Sequence, residues 1–563
     1  MPNLPRALNA VKTRPGDPHA WSDLGQTLLQ MGRRAAAEDA FSQSVRRAPT
    51  ARGFAGWATC ALEQGELARA VGILTVARKR GMLPMEGLRQ LGVTALEVGD
   101  LQAADDALEE YTLRGPKDAT GWLLRAIVRT RRSAAADALA MLDRAVTLDP
   151  GLVDAHANRA AVLETLSRLD DAELSARLAL ERSPSHPLAA LILARVLRRQ
   201  GRIAAAISVL DALSDVGLTA EQRTRRHGEQ GLCADAQGHT DLAWTAFCEM
   251  NTHAAQRAAV ADGDSAGWLT RVDRIRALAP ALVAHARRAW TPPTEDRPPV
   301  FVVGFPRSGT TLLEHILGAH PALVATDEMR VTDRLFVLWS ELLPDIGAYP
   351  DGLLELAVTH RLRLREAWAS LVRTERPRLD PTLRIIDKVP LNLVHLPLLH
   401  AIFPESPKIV LLRDPRDTAL SCFMHIFGPG ATNNLMMSMD DIVEVQAKAF
   451  GVFAAVRSHM AESLQVVRYE ELVTDHVAVM EDLLASIGLS WNDAVAVHHT
   501  GLADTHITTP SYARVMQPVD TSACKRWHRY ARQLLPWRAR LDETARLLGY
   551  EEDWPADRVD ASG

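Results

Sequence analysis

The sequence predicts an all-α array of helical hairpins in its first half and an α/β domain with a parallel sheet in its second half. Two observations predict this division. Small residues recur at a nearly constant interval up to about residue 240, which is typical of a repeat array without a single core. After a proline-rich segment, apolar strand-like runs alternate with helical stretches, the order expected for a parallel sheet covered by helices.

The bulk composition limits the class of protein. The chain has 563 residues, of which 47% are hydrophobic and 24% charged, so it is too long for one core and too apolar to be disordered. The formal net charge of −5 gives no general reason to bind nucleic acid. We find no signal-peptide-like start and no apolar run of about 18 residues, and therefore expect neither export nor a membrane anchor. The five cysteines include no CxxC pair, which favours a reducing compartment and a cytoplasmic location.

The first half repeats with a period of about 34 residues. In the first unit the pattern residues are Trp21, Leu24, Gly25, Leu28, Gly32, Ala37, Phe41 and Pro49. A small residue marks the turn of each hairpin, at Gly32, Gly65, Gly99, Ser133, Ser167, Gly201 and Gly238, in steps of 33, 34, 34, 34, 34 and 37. An alanine follows five residues later, where two helices approach closely, at Ala37, Ala70, Ala104, Ala138, Ala172, Ala206 and Ala243.

This pattern resembles the tetratricopeptide repeat. The resemblance implies an all-α tetratricopeptide superhelix of about seven repeats over residues 1–260, whose concave face is the usual place for a peptide or protein partner. A purely structural array, which supports the second domain or mediates self-association, stays open. A helical connector and a proline-rich linker are expected over residues 261–299, because residues 291–299 contain four prolines that end any helix.

A strand, a phosphate-binding loop and a helix follow the linker. Residues 300–303 are a β-branched and aromatic run typical of a buried strand, and GFPRSGTT follows. Gly304 and Gly309 have the spacing of a loop whose N–H groups bind an anion at a helix start. Nucleotide triphosphatases need a lysine where this chain has Thr310, and the positive charge lies upstream at Arg307. Such a loop suits a 5′-phosphosulfate, which needs charge neutralisation without a bridging Mg²⁺.

The string PRSGTTLLEHILGAHP resembles the 5′-phosphosulfate loop of the sulfotransferases, in particular the tyrosylprotein sulfotransferases and their bacterial relatives with tetratricopeptide repeats. The resemblance implies an α/β P-loop-like sulfotransferase domain with a parallel sheet over residues 300–550, followed by a tail over 551–563. It also implies 3′-phosphoadenosine 5′-phosphosulfate (PAPS) as co-substrate, 3′-phosphoadenosine 5′-phosphate (PAP) as product, and a bacterial source. The donor-binding residues expected in the loop are Arg307, Ser308, Gly309, Thr310 and Thr311.

Three further strand-like runs, residues 383–386, 408–412 and 465–467, end in polar residues. Ligands of parallel sheets bind beyond the carboxyl ends of the strands, so these residues and the loop are expected to line one crevice. Arg413 and Ser421 match the sulfotransferase pair that binds the 3′-phosphate, and Tyr469 matches a tyrosine that contacts the phosphoadenosine. In a C-terminal segment that resembles the one closing over the nucleotide, Ser511 and Arg526 stand at matching positions, with Lys525 as an alternative to Arg526.

The resemblance also implies the catalytic residues. Glu328, 21 residues after Arg307, matches the general base that takes the acceptor proton. Lys388 matches the catalytic lysine that stabilises charge on the bridging oxygen, and Ser511 is expected to add a hydrogen bond to the transferring group. A histidine base stays an alternative, with His425 as the candidate. We expect no catalytic metal, since no histidine or cysteine set has ligand spacing.

The acceptor is left open, because DKVP stands where the tyrosylprotein enzymes have NKDP and RDPRD stands where they have RDGR. It is a protein tyrosine, a carbohydrate hydroxyl or a small metabolite. Two other functions remain as alternatives: an interaction scaffold whose second domain binds nucleotide without turnover, and a P-loop kinase or NTPase that uses ATP and Mg²⁺. Neither nucleic acid nor a membrane is an expected partner.

Overall fold

The computed structural model describes residues 3–258, 264–286, 297–377, 379–428, 430–498, 519–551 and 553–555. The chain divides into two compact units, Met1–Gln200 and Gly201–Gly563. The first is all-α and the second contains a parallel sheet, as predicted for the fold class. The proline-rich linker lies mostly outside the described residues, and the predicted domain boundaries stay a prediction.

The first unit consists of helices joined by short turns. Their bounds are α1 (Leu4–Thr13), α2 (Pro18–Gln30), α3 (Arg34–Arg47), α4 (Ala51–Glu63), α5 (Leu67–Lys79), α6 (Met85–Val98), α7 (Leu101–Arg114), α8 (Ala119–Arg131), α9 (Ala135–Leu148), α10 (Val153–Thr165), α11 (Leu169–Arg182) and α12 (Pro187–Arg199). From α2 onward they form the hairpins of the repeats.

The repeat markers have the backbone conformation that the turns require. Each of the seven turn residues has a left-handed φ, between 60° and 80°, a conformation that glycine adopts without strain and serine at a modest cost. The seven alanines that follow are fully buried. Gly25 shows why such positions stay small, because a Cβ there would lie 2.9 Å from the Phe41 ring of the facing helix.

The second unit begins with the last repeats. Its first helices are α13 (Ile203–Ala212), α14 (Ala220–Ala236), α15 (Thr240–Ala258) and α16 (Ser265–Ala286). The Trp244 ring of α15 packs against Phe423 with ring centroids 4.5 Å apart, and the Asn251 amide donates to the Phe423 carbonyl at 2.8 Å. The predicted repeat array therefore extends into the unit that contains the sheet.

The rest of this unit alternates strands and helices. Their bounds are β1 (Val300–Gly304), α17 (Thr310–Gly318), β2 (Leu323–Ala325), α18 (Val331–Val337), α19 (Trp339–Leu342), α20 (Val358–Glu375), β3 (Arg384–Lys388), α21 (Leu396–Ile402), β4 (Lys408–Leu412), α22 (Pro415–Phe423), α23 (Ala431–Asn434), α24 (Met439–Val456), β5 (Leu464–Arg468), α25 (Tyr469–Thr474), α26 (His476–Ser486), α27 (Ala531–Leu534) and α28 (Arg538–Leu547). Short 3₁₀ helices span Asp351–Glu355, Pro390–His395, Asp493–Val495, Arg526–Tyr530 and Leu535–Trp537.

The five strands form one parallel sheet in the order β2-β3-β1-β4-β5. The four predicted strands are present, whereas the three-residue edge strand β2 was not predicted. In register, Val302 of β1 lies beside Lys388 of β3 and Ile409 of β4. Because all strands run the same way, their carboxyl ends meet at one edge of the sheet.

Both faces of the sheet are covered. Phe301 and Val303 of β1 belong to one buried cluster, with α16, α20 and α24, and Val300 and Val302 belong to another, with α17 and α26. This alternation follows from the period of two along a strand. Among the described helices, none is both long enough and apolar enough to span a bilayer.

Candidate active site

The loop between β1 and α17 has two residues in the left-handed region. Arg307 has a φ of 67° and Gly309, which precedes α17, a φ of 105°. A non-glycine residue in this conformation is unfavourable and is found where the surroundings or a function hold it there. The Ser308 hydroxyl is buried without a hydrogen-bond partner among the described residues. A buried donor beside an arginine at a helix start fits a phosphate or sulfate group.

Four predicted donor-site residues from separate segments lie together. The Arg307 Nε donates to the Ser421 Oγ at 3.3 Å, and the Arg413 Nη1 donates to the Arg307 carbonyl at 3.0 Å. The Arg413 guanidinium stacks on the Tyr469 ring, 4.6 Å from its centroid. The ends of β4 and β5, the loop after β1 and helix α22 thus meet at two arginines, which provide the charge that a phosphorylated nucleotide requires.

The predicted base and lysine are in direct contact. The Lys388 Nζ, at the end of β3, donates to the Glu328 Oε1 at 3.0 Å. The lysine side chain is fully buried, whereas that of Glu328 is 43% exposed. Burial lowers the pKa of Lys388, and the neighbouring carboxylates raise it. The pKa of Lys388 is raised overall above its ordinary value, so the ammonium stays charged.

A cavity of about 240 Å³ adjoins these groups. Among the residues that line it are Arg307, Gly309, Thr310, Thr311 and Glu328. The other walls come from α16, α18, α23, the 3₁₀ helix after β3 and the segment after α22. The cavity therefore places a carboxylate beside the predicted phosphate-binding loop, and its other lining residues are a mixture of apolar and polar side chains.

Comparisons with known proteins find two families in this chain. Residues 298–493 match the sulfotransferase family model, and residues 5–82, 89–153 and 154–215 match a tetratricopeptide repeat model. Residues 298–493 form a sulfotransferase-family domain. The predicted recognition of a tetratricopeptide-repeat sulfotransferase is thereby confirmed.

Individual relatives are distant. An uncharacterized protein from Aquifex aeolicus (strain VF5) is 26% identical over 46% of this chain and 34% of its own length. Protein-tyrosine sulfotransferase 1 from Danio rerio is 27% identical over 41% of this chain and 66% of its own length. The solved sulfotransferase domain from the curacin biosynthetic pathway is 19% identical, with a TM-score of 0.33 over 46% of this chain and 99% of that domain. The chain spans less than two thirds of the length of the first two relatives.

The C-terminal segment predicted to cover the nucleotide is only partly described. Ser511 lies outside the described residues. Arg526 donates to the Asp235 carboxylate of α14 at 2.6 Å, and the Lys525 Nζ pairs with Asp553. Both basic side chains thus bond to carboxylates outside the predicted phosphate-binding loop. The Arg413 Nη2 joins this segment to the site by donating to the Ala523 carbonyl at 2.6 Å. The role of Arg526 stays a prediction.

Four histidines of the sulfotransferase domain differ in whether they line the cavity. His320 bonds to the Ala322 N–H and the Ser490 carbonyl, and burial lowers the pKa of His315; neither lines the cavity. His425 and His395 do line it. Burial lowers the pKa of His395 to about 3, so its ring is neutral. His425 stays the alternative base.

Several groups at the candidate site were missed by sequence reasoning. Trp268 of α16, Asp333 of α18 and His395 line the cavity, and Glu314 of α17 lies 3.3 Å from the Lys388 Nζ. Glu314 stands inside the recognised loop string, where an acidic residue one turn after Thr310 was the available signal. Trp268 lies outside every motif, so only the fold could place it there.

One cluster has the spacing of a metal site. The Glu314 and Asp327 carboxylates and the His315 ring offer ligand atoms within 4.8 Å of one another. The Lys388 ammonium already lies against Glu314 and repels a cation there. We therefore do not assign these residues as metal ligands.

Proposed function

We propose that this chain transfers a sulfuryl group from PAPS to an acceptor hydroxyl by in-line displacement. The observation that carries the proposal is the convergence of Arg307, Ser308, Arg413 and Ser421 around the start of α17, beside the Lys388–Glu328 pair. Arg307, with Thr310 where P-loop NTPases have lysine, disfavours the kinase alternative. The pair beside the loop disfavours a nucleotide-binding scaffold without turnover.

The donor fits the residues that would hold it. PAPS supplies an activated sulfuryl group. Arg307, the buried Ser308 hydroxyl and the N–H groups at the start of α17 hold its 5′-phosphosulfate, and Arg413 and Ser421 its 3′-phosphate. Tyr469, on which Arg413 stacks, contacts the phosphoadenosine.

The catalytic step uses the Lys388–Glu328 pair. Glu328 accepts the acceptor hydroxyl proton as the acceptor oxygen bonds to sulfur. The bond from sulfur to the bridging oxygen of the 5′-phosphate breaks at the same time. Arg307, which lines the cavity, and the buried Lys388 ammonium behind Glu328 stabilise the negative charge left on PAP.

Two finer assignments concern the acceptor and the repeats. We propose a protein tyrosine as the acceptor, since the apolar lining residues Trp268, Leu391 and Phe427 suit an aromatic ring and a relative is named protein-tyrosine sulfotransferase 1. We propose further that the repeats of the first unit bind a peptide or protein.

Isothermal titration with PAP tests the donor site. The wild-type chain is expected to bind PAP and not ATP·Mg²⁺. Arg307→Gly and Arg413→Ala are expected to weaken PAP binding at least about thirtyfold, the lower range for truncating one partner of a buried charge pair. Glycine is used at position 307 because it keeps the positive φ without strain.

The control and the acceptor assay complete the test. Arg274→Ala removes an exposed arginine paired with Asp351 and is expected to leave PAP affinity unchanged. Transfer from radiolabelled PAPS to a tyrosine-containing peptide, a carbohydrate and water then compares the acceptors. If the chain binds ATP·Mg²⁺ but not PAP, the P-loop kinase or NTPase alternative is favoured. If it binds neither ligand, an interaction scaffold is favoured.

A further inference from the structure

A buried carboxylate stands behind the Lys388–Glu328 pair. Glu314 of α17 and Lys388 of β3 both have fully buried side chains, and the Glu314 Oε2 lies 3.3 Å from the Lys388 Nζ. The Glu328 Oε1 lies 3.0 Å from the same nitrogen. The ammonium therefore contacts two carboxylates. The Glu314 carboxylate is buried in the protein, and the Glu328 carboxylate lines the cavity.

Glu314 also contacts the backbone that carries the proposed base. Its Oε1 accepts the Asp327 N–H at 2.9 Å, and Asp327 has a left-handed φ of 58°. This backbone conformation is unfavourable for aspartate unless local interactions support it. Since Glu328 is the next residue, the same side chain that touches Lys388 also supports the turn from which Glu328 projects.

We propose that Glu314 is a positioning residue for the transfer reaction, which holds the Lys388 ammonium and the Asp327–Glu328 turn in their working geometry. This inference rests on the proposed function. Glu314 does not touch the cavity, so it acts through Lys388 and Glu328 and not on a substrate directly.

The charges around Lys388 explain why a second carboxylate is needed. Burial alone lowers the pKa of the lysine, and Glu314 and Glu328 counter it. Burial raises the pKa of Glu314 to about 7, and the Lys388 ammonium opposes that rise, so Glu314 is ionised above this pH. The charged or titratable groups that act on Lys388 or lie beside it are Glu314, His315, Asp327, Glu328 and Asp387.

Glu314→Gln separates a positioning role from a packing role. The amide oxygen still accepts the Asp327 N–H, but the negative charge beside Lys388 is lost. We expect kcat at pH 8 to fall about tenfold to a hundredfold, the effect of misplacing a reacting group by about 1 Å. The alkaline limb of the pH–rate profile is expected to move about one unit lower, since Lys388 loses a proton more readily without this carboxylate.

Three controls define the interpretation. PAP affinity is expected to stay within about twofold of wild type, because the phosphate-binding groups are untouched. Glu366→Gln, at an exposed glutamate paired with Arg373, is expected to change neither kcat nor the profile. In a Lys388→Met background, Glu314→Gln is expected to add no shift of the alkaline limb, as expected for a pair that acts as a unit.

Turnover is measured as transfer from radiolabelled PAPS to the tyrosine-containing peptide and to water. Transfer to water can be measured without knowing which compound is the acceptor. An unchanged kcat and pH profile in Glu314→Gln, with wild-type PAP binding, would overturn the positioning role alone. Absence of PAP binding in the wild type would overturn the proposed function. If Glu314→Gln does not fold, Glu314→Asp is measured instead, because it keeps the negative charge but shortens the side chain by one methylene. A normal kcat and a normal pH–rate profile in that variant would overturn the inference.

Discussion

Replacing Asp387 with asparagine is expected to make the second unit less sensitive to alkaline pH. Asp387 of β3 is 1% exposed. The Trp368 indole N–H donates to its Oδ2 at 3.2 Å, and its Oδ1 has no hydrogen-bond partner among the described residues. Burial raises the pKa of this carboxyl from 3.8 to about 7, and the Trp368 bond offsets only part of the rise. The folded protein therefore favours the neutral acid.

The size of the effect follows from this pKa. A shift of about three units at about 1.4 kcal/mol per unit means that ionised Asp387 costs the folded state about 4 kcal/mol. Because the folded-state pKa is raised, the stability that this group contributes is complete below about pH 4 and is lost as the pH rises through about 7. Asparagine cannot ionise. The advantage of Asp387→Asn over wild type should therefore grow by about 3 kcal/mol between pH 5 and pH 8.5.

Urea unfolding of the full chain, followed by tryptophan fluorescence at pH 5 and pH 8.5, measures this difference, because Trp368 contacts the altered side chain. Asp482→Asn, at an exposed position of α26, serves as the control and is expected to give the same difference at both pH values. An Asp387→Asn variant that is less stable than wild type at pH 8.5, or whose advantage does not change with pH, would refute the argument from burial.

Two further substitutions test other parts of the second unit. Gly309→Ala places a Cβ 2.5 Å from the Tyr469 ring at a φ of 105°, so isothermal titration should show PAP affinity reduced at least about tenfold. Gly72→Ala, with open space around its Cβ, should leave PAP affinity unchanged. Asp235→Ala removes the hydrogen-bond acceptor of the Arg526 and Tyr530 side chains, and urea unfolding should show a loss of about 3 kcal/mol in the free energy of unfolding. A loss below about 0.5 kcal/mol would contradict a stabilising role of Asp235 in these bonds.

Short sequence patterns were sufficient to predict those elements whose conformation depends on neighbouring residues. The turn markers of the repeats were predicted because a left-handed turn favours glycine or another residue that tolerates positive φ. The strand β4 was predicted residue for residue over Lys408–Leu412, since a short β-branched run between polar residues has few other structures. The edge strand β2 was missed, because three residues carry too little periodicity to be recognised.

The predicted site was partly recoverable for the same reason. Lys388 ends β3, Arg413 follows β4 and Arg307 lies in the loop after β1, and the rule that parallel strands end at one edge was enough to bring them together. Glu314 and Trp268 have no such marker. Their positions depend on how α17 and α16 pack against the sheet, and a buried acid or a core tryptophan in a helix looks the same in sequence wherever the helix is placed.

The sequence by itself determined the repeat array, the parallel sheet and the edge at which the predicted phosphate-binding residues meet, because these depend on spacing, periodicity and the direction of consecutive strands. Only the tertiary structure decided which side chains complete the site. The contact between Glu314 and Lys388, the wall contributed by Trp268 and the bond from Arg526 to Asp235 join segments that are far apart in the chain. Such contacts arise from burial and packing among several elements, and no single segment encodes them.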